Sequence, residues 1–104
     1  MSPEIRAHIE QAIHNNRVML YMKGDKQAPQ CGFSAQVIRI LESYGVEYAT
    51  EDVLANWDVR EAIKEFSSWP TIPQLYIDGK FIGGCDITME LHRKGDLKKI
   101  LGRE

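Results

Sequence analysis

The sequence predicts an α/β protein with a mixed four-stranded sheet that is flanked by helices on both faces. Apolar residues recur at helical spacing in several segments, and short apolar runs typical of strands lie between them. A helix separates the first two strands, which are therefore expected to run parallel, whereas Asp78-Gly79 joins the last two as an antiparallel hairpin. The chain has 104 residues, about the length of one domain, and we expect a single domain over 1–104.

The first half of the chain predicts two helices and two strands. A serine-proline pair is typical of a helix start, so the first helix lies within 3–16, where an asparagine pair ends it. The nearly continuous apolar run at 17–22 indicates a strand that is buried on both faces. A polar loop at 23–30 precedes a helix at 34–45 that ends on a glycine, and a second strand is expected at 46–53.

The second half predicts a helix, a hairpin and two further helices. A capping asparagine begins the helix at 56–68, and the strands of the hairpin are expected at 74–77 and 80–84. The next helix is expected at 86–95, with its first residue, Asp86, as the N-cap and a glycine at its end. A short helix at 96–101 follows, and the complete layout is the thioredoxin-like arrangement.

Composition and charge exclude several classes of function. The 13 basic and 15 acidic residues leave a net charge of −2, which argues against the concentrated basic face of a nucleic-acid-binding protein. No apolar run approaches the length of a membrane span, and the N-terminal residues lack the layout of a secretory signal. Two widely spaced cysteines do not make a secreted disulfide framework, so we expect a cytoplasmic protein whose thiols are reactive or ligating.

Cys31 is the first candidate functional residue, because it lies just before a predicted helix. Partial positive charge and unpaired N–H groups at that end favour a thiolate over a thiol. Lys23, on the other side of the loop, adds a full positive charge, so we expect a lowered pKa for Cys31. Gly32 is expected to let the chain turn tightly beside the sulfur, and Phe33 to cover one side of it. The alternative is that Cys31 is a small buried apolar residue, which the adjacent glycine and polar loop disfavour.

Ser34 stands where a second cysteine would complete a redox pair. A dithiol enzyme uses that cysteine to break its mixed disulfide, and serine cannot do so. An adduct on Cys31 must therefore be released by an outside thiol, or by Cys85 if the fold brings it near. The other interpretation is that Cys31 forms no internal disulfide and serves as a metal ligand.

Five segments together resemble the monothiol glutaredoxin family of the Cys-Gly-Phe-Ser type, in order and at family-like spacing. The segments are YMKG (21–24), DKQAPQ (25–30), CGFS (31–34), WPTIPQLYIDG (69–79) and GGCD (83–86). The resemblance runs from about residue 5 to residue 101, so it implies one domain with the thioredoxin-like glutaredoxin fold.

The resemblance implies a groove that binds glutathione beside Cys31. It implies a cis peptide bond between Ile72 and Pro73, which presents the backbone of Ile72 to the backbone of glutathione's cysteine unit. Thr71 belongs to the same cofactor-binding segment, and Phe33 to the same groove. Apart from the family, an ordinary proline at a strand start is the favoured interpretation of Pro73.

The segment GGCD is expected to hold the γ-glutamyl end of glutathione. Gly83 and Gly84 permit a close approach of backbone to ligand. Helix-start N–H groups at Cys85 and Asp86 can hold its α-carboxylate, and the Asp86 carboxylate can accept from its ammonium group. Asp86 is also interpreted as a plain N-cap, and both roles can coexist. Cys85 is interpreted first as a small packed residue, with oxidation to a disulfide with Cys31 as the alternative.

Two cations are expected to hold the glycine carboxylate of glutathione. These are Lys23 and Arg60, whose forked donors suit a carboxylate. It is the family match that selects Arg60, because periodicity alone makes it a solvated helix residue like its neighbours. Lys26 and Gln27, in the loop, are further candidate contacts.

The histidines are not expected to bind metal. His8, His14 and His92 show no pairing at i, i+4, and the first two lie on the solvated side of a predicted helix. We therefore take all three as surface residues.

The resemblance implies an iron–sulfur carrier. A [2Fe–2S] cluster takes four ligands, usually cysteines, and one Cys31 thiolate cannot complete it. In the family, two chains and two glutathiones supply one sulfur each, so the cluster bridges a homodimer and is exchangeable. The resemblance further implies delivery of clusters to apo iron–sulfur proteins and mixed complexes with BolA-like partners.

Two other classes of function stay open at this point. A glutathione-dependent monothiol oxidoreductase would reduce glutathione-mixed disulfides through Cys31, with glutathione as the outside thiol. The loop before Cys31 is longer than in the dithiol relatives, so we expect at most weak activity of this kind. A third class is a sensor or scaffold whose cluster reports iron or redox status by changing its partner.

Overall fold

The first six elements alternate between helix and strand in the structure, a computed structural model that describes residues 1–103. The elements are, in order, α1 (Pro3–Asn15), β1 (Val18–Met22), α2 (Gly32–Tyr44), β2 (Ala49–Asp52), α3 (Trp57–Ser67), β3 (Gln74–Ile77), β4 (Lys80–Gly83), α4 (Cys85–Lys94) and α5 (Asp96–Leu101). This order confirms the predicted α/β fold class. Within the part of the chain that the structure describes, no helix combines the length and apolar character needed to cross a bilayer.

The strands form one mixed sheet in the order β2-β1-β3-β4. β1 runs parallel to β2, with Leu20 opposite Thr50, and antiparallel to β3, with Leu20 opposite Leu75. β3 and β4 form the predicted hairpin, in which Asp78 and Gly79 both have positive φ angles (53° and 78°). A hairpin turn of this kind requires φ above zero at both central residues, which explains the Asp-Gly pair.

β1 lies inside the sheet, and its side chains alternate between two hydrophobic cores. Leu20 and Met22 pack on one face with residues of α2, α4 and α5. Met19 and Tyr21 pack on the other face with residues of α1 and α3. Because helices cover both faces, every residue of β1 is buried, which confirms the prediction made from its continuous apolar run.

α2 begins at Gly32 rather than at Ser34, and Cys31 is its N-cap residue. Gly32 has helical backbone, and a Cβ added there would meet no atom within 4 Å. The expectation that glycine is needed for a tight turn at this position is therefore wrong. The spacing of apolar residues did not indicate the first helical turn of α2, because Gly32 and Phe33 are exposed and lie outside its buried face.

α4 also begins earlier than predicted. Gly84 is the N-cap residue and Cys85 the first helical residue, so Asp86 lies in the first turn and is not the cap. An aspartate is favoured both at the cap and in the first turn, because either place brings its charge to the positive helix end. β2 is shorter than the predicted strand and begins at Ala49. Val46 and Tyr48 are buried, so the sequence pattern included them in the strand although they precede it.

Candidate functional site

Cys31 lies where the loop after β1 enters α2. Its backbone is extended (φ −152°, ψ 135°), and its carbonyl accepts a hydrogen bond from the N–H of Ala35 at 2.9 Å. The residue is partly buried. The cysteine is thus placed beside the first-turn N–H groups of a helix, where negative charge is favoured.

The surroundings of Cys31 favour its thiolate. Burial raises the pKa of Cys31, but hydrogen bonding from the backbone N–H groups of Ser34 and Phe33 lowers it. The positive charge of Lys23 and the Ser34 hydroxyl lower it further. The net result is a pKa of Cys31 below its usual value, which confirms the prediction from the helix start and the lysine. A thiolate is the form that attacks disulfides and binds metals.

Ser34 has a structural part of its own in the site. The residue is fully buried, and its Oγ accepts a hydrogen bond from the backbone N–H of Lys23 at 3.2 Å. This bond ties the first turn of α2 to the end of β1, while the same hydroxyl lowers the pKa of Cys31. The motif alone indicates only that a second thiol is missing here.

The loop between β1 and the cysteine is closed on itself. The N–H of Gln30 donates to the carbonyl of Lys23 at 2.9 Å, and Gly24 forms an antiparallel bridge with Pro29. The N–H of Gly24 also donates to Asp52, at the end of β2, at 2.9 Å. Closure of the loop brings its two ends together, which explains why the lysine charge acts on the cysteine.

One cavity of about 500 Å³ is lined by ten of the residues that the sequence predicts for the site. These predicted residues are Lys23, Cys31, Phe33, Arg60, Thr71, Ile72, Pro73, Gly84, Cys85 and Asp86. The peptide bond between Ile72 and Pro73 is cis, as the resemblance implies. The fold therefore brings together residues that lie far apart in the chain.

Four lining residues were not predicted: Lys64, Trp69, Pro70 and Ile87. Trp69 and Pro70 lie in the segment that carries the resemblance, so the motif itself was a signal for them. Lys64 lies four residues after Arg60 on α3, and that helical spacing was a signal as well. No local pattern points to Ile87.

A buried glutamine holds the segment that precedes β3. Gln74 is fully buried, and its Nε2 donates to the carbonyls of Trp69 and Thr71 at 3.1 and 3.3 Å. Its Oε1 accepts a hydrogen bond from the hydroxyl of Tyr76 at 3.1 Å. One wall of the cavity is thus anchored from inside the sheet, which sequence reasoning missed.

The N-terminus of α4 forms another part of the cavity, and its two glycines are needed by contacts within the protein. A Cβ added to Gly84 would lie 3.2 Å from the carbonyl oxygen of Pro73. One added to Gly83 would lie 2.7 Å from the Cβ of Ile87. This close packing leaves the first-turn N–H groups of the helix and the exposed Asp86 at the cavity, an arrangement that suits a carboxylate beside an ammonium group.

Cys85 is a packed residue whose surroundings favour its thiol over its thiolate. It is buried, and its thiol donates to Oε1 of Gln36 at 3.5 Å and contacts the sulfur of Met89 at 3.6 Å. Burial raises the pKa of Cys85, and the negative charges of Asp86 and Cys31 raise it further. Both cysteines are free in this structure, and a disulfide between them stays a prediction.

Three cations line the cavity: Lys23, Arg60 and Lys64. Oε2 of Glu61 accepts a hydrogen bond from Nη1 of Arg60 at 3.2 Å and lies 3.5 Å from Nζ of Lys64. Glu61 therefore neutralises part of the positive charge that α3 presents. The side chain of Arg60 is only 22% exposed, so it is not the freely solvated residue that periodicity allows.

The loop residues Lys26 and Gln27 do not line this cavity. Nζ of Lys26 donates to the carbonyl of Tyr48 at 2.8 Å and lies 4.2 Å from the centre of the Tyr48 ring. Lys26 therefore lies outside the cavity lining, because Tyr48 holds its ammonium group on the β2 side of the loop. Gln27 is exposed, and its N–H donates to Asp25 within the loop.

The histidines lie on the surface, as predicted. His8 is hydrogen-bonded to the carboxylate of Glu51, and His92 to the hydroxyl of Tyr44. His14 is exposed near the end of α1. Over residues 1–103, no group of three or more histidine, cysteine, aspartate or glutamate side chains is arranged to hold a metal ion.

Comparisons with known proteins show the family to which the chain belongs. The family model that describes glutaredoxins matches residues 18–82. A ycf64-like monothiol glutaredoxin of Synechocystis sp. is 50% identical over 101 residues, which are 97% of this chain and 94% of that protein. The chain belongs to the monothiol glutaredoxin family.

Solved glutaredoxin structures share the fold. The solution structure of reduced poplar apo GrxS14 is 44% identical, with a TM-score of 0.87 over 97% of this chain and 93% of that one. A crystal structure of a buckwheat glutaredoxin–glutathione complex is 27% identical, with a TM-score of 0.85 over 98% of this chain and 94% of that one. These matches confirm the thioredoxin-like fold that the order of elements predicts.

The site has a definite chemical capacity within this family. A cysteine of lowered pKa, a group of cations and a helix N-terminus line the same cavity. Such a cavity can hold an anionic, peptide-like ligand against a sulfur that is able to attack a disulfide or to bind a metal.

Proposed function

We propose that this chain is a glutathione-binding carrier, which holds a [2Fe–2S] cluster as cargo and delivers it to apo iron–sulfur proteins. The observation that carries the proposal is a cysteine of lowered pKa in a cavity of about 500 Å³ that cations also line. A cavity of this size suits a small ligand such as a tripeptide. The buckwheat glutaredoxin, whose structure is a complex with glutathione, supports the same choice of ligand.

Each charged group of glutathione has a partner in the cavity lining. Lys23 and Arg60 would hold its glycine carboxylate, since an ammonium and a forked guanidinium both suit that group. The first-turn N–H groups of α4 would hold its γ-glutamyl carboxylate, and Asp86 would accept from the adjacent ammonium. The other residues proposed to contact glutathione form the walls: Phe33, Thr71, Ile72, Pro73, Gly84 and Cys85.

The donor set in the cavity fits one cluster ligand from each chain. Cys31 offers a thiolate, whereas burial raises the pKa of Cys85 and keeps the proton on its sulfur. Four ligands are needed, and in the arrangement that the family resemblance implies, Cys31 of two chains and the thiols of two bound glutathiones supply them across a homodimer. Because half of the ligands are small molecules, the cargo is exchangeable, as a carrier requires.

The proposed partners are those that the family resemblance implies. A BolA-like protein would replace the ligands of one chain in a mixed complex, and apo iron–sulfur proteins would receive the cluster. A free thiolate that works with glutathione suits a reducing compartment, and we place the protein in the cytoplasm.

Anaerobic reconstitution of the full chain with iron, sulfide and glutathione tests the carrier. We expect brown protein with visible absorption bands that elutes as a dimer. Cys31→Ser should abolish colour and dimer together, while the matched control Cys85→Ser should keep its full cluster content. A cluster that stays on a monomer in glutathione-free buffer would contradict the proposal.

A second function is favoured by the access of Cys31 to the cavity, namely reduction of glutathione-mixed disulfides. The thiolate of Cys31 would attack the glutathione sulfur and release the target as a thiolate. A second glutathione thiolate would then attack the Cys31–glutathione disulfide, releasing oxidised glutathione and restoring the Cys31 thiolate. Colourless wild-type protein with rapid turnover of a glutathionylated peptide would favour this enzyme over the carrier.

A further inference from the structure

Trp57 is a large aromatic residue on the surface whose position core packing does not explain. It is the first residue of α3, and it is 61% exposed. The buried face of that helix consists instead of Val59, Ala62 and Ile63. The main contact of Trp57 is therefore not with the hydrophobic core.

That contact is the guanidinium group of Arg60. Cζ of Arg60 lies 4.3 Å from the centre of the Trp57 ring. The two residues are three positions apart on a helix, a spacing that places side chains on the same face. Tryptophan is the ring that attracts a cation most strongly, and guanidinium groups stack on such rings.

The guanidinium group is also confined by its other neighbours. Its Nη1 donates to Glu61 at 3.2 Å, and the Arg60 side chain is mostly buried. Its Nε is buried and has no acceptor anywhere in residues 1–103. Arg60 thus contributes to the cavity lining as a held cation with donor capacity to spare.

We infer that Trp57 is a positioning residue, whose ring holds the Arg60 guanidinium in place to receive the glycine carboxylate of glutathione. The inference rests on the proposed function. An unsupported arginine would lose rotamer freedom when the ligand binds, and the ring removes part of that cost beforehand. Trp57 itself lies outside the cavity lining, so its effect passes through Arg60 and concerns that carboxylate alone.

Isothermal titration calorimetry on the full chain tests this with two ligands. One ligand is reduced glutathione, and the other is its glycinamide, in which the terminal carboxylate is a neutral amide. We expect Trp57→Ala to raise the Kd for glutathione roughly two- to fivefold, the range that an exposed cation–ring contact supports. Trp57→Phe should restore most of the affinity, and Leu54→Ala, at an exposed apolar residue outside the lining, should leave it unchanged.

The glycinamide separates positioning from a general structural role. Wild type and Trp57→Ala should bind it equally, because the group that Arg60 receives is gone. Equal weakening of both ligands by Trp57→Ala, or no weakening of either, would overturn the inference while the proposed function stands. Wild type that binds no glutathione would overturn both.

Discussion

Gly24→Ala should destabilise the protein, because the loop before Cys31 closes on this residue. The φ angle of Gly24 is +89°, a conformation that L side chains rarely adopt. A Cβ at this position would lie 2.5 Å from the carbonyl oxygen of Ala28 and 2.7 Å from the backbone N of Gln30. Both neighbours are backbone atoms, so neither can turn aside as a side chain would.

The expected cost has two parts that the structure separates. The positive φ angle costs about 1–2 kcal/mol for a residue other than glycine. Forcing extra volume into a packed place costs a further 1–3 kcal/mol or so. The sum is about 2–5 kcal/mol, a large part of the ~5–15 kcal/mol by which most domains are stable.

Urea unfolding followed by circular dichroism measures this cost as the change in the free energy of unfolding. Gly45→Ala is the matched control, because Gly45 has a positive φ angle (+66°) but a Cβ there would meet no atom within 4 Å. The control should lose only the first part, about 1–2 kcal/mol. If Gly24→Ala costs no more than Gly45→Ala, the close approach of the loop is not what requires glycine.

Three further changes test the site. Lys23→Gln removes a charge that lowers the pKa of Cys31, so less thiolate is present at a given pH. The rate of alkylation by iodoacetamide should therefore reach half its maximum at higher pH than in the wild type. An unchanged pH profile of this rate would contradict the prediction. The Cβ that Gly32→Ala adds would meet no neighbouring atom, and alanine has the higher helix propensity. Urea unfolding should therefore show unchanged stability or a gain of up to about 1 kcal/mol. A clear loss of stability would show that the helix start needs glycine. Glu61→Gln frees Arg60 from an internal carboxylate, so calorimetry should show roughly two- to threefold tighter glutathione binding. Unchanged or weaker binding would show that the Glu61 carboxylate does not compete with the glycine carboxylate of glutathione for Arg60.

Elements with a distinctive local pattern were predictable from the sequence. The continuous apolar run that became β1 indicated a strand covered on both faces, and helices do cover both. Asp78-Gly79 indicated a two-residue hairpin, since few other pairs tolerate its positive φ angles. Such signals are local, so they survive without any knowledge of the fold.

Helix starts at the site were less predictable, because their residues are small or exposed. Gly84 caps α4 with no side chain, so the aspartate two residues later was the stronger signal for a cap. The sequence also pointed to the wrong glycine. Gly32 was expected to permit a turn beside the cysteine, but Gly24 is the one of the two that the backbone requires. Which glycine is needed depends on neighbouring atoms, and these are known only after folding.

Local patterns alone predicted the order of elements, the hairpin and the reason for the lowered pKa of Cys31, because each depends on residues close together in the chain. The motifs then named the residues of one site, although they lie on five separate segments. Folding alone decided what each does there: it gathered them around a common cavity, turned Lys26 toward Tyr48, and placed Gln74 under the cavity wall. Those contacts join residues distant in sequence, so the physical reason is that only tertiary packing sets their distances.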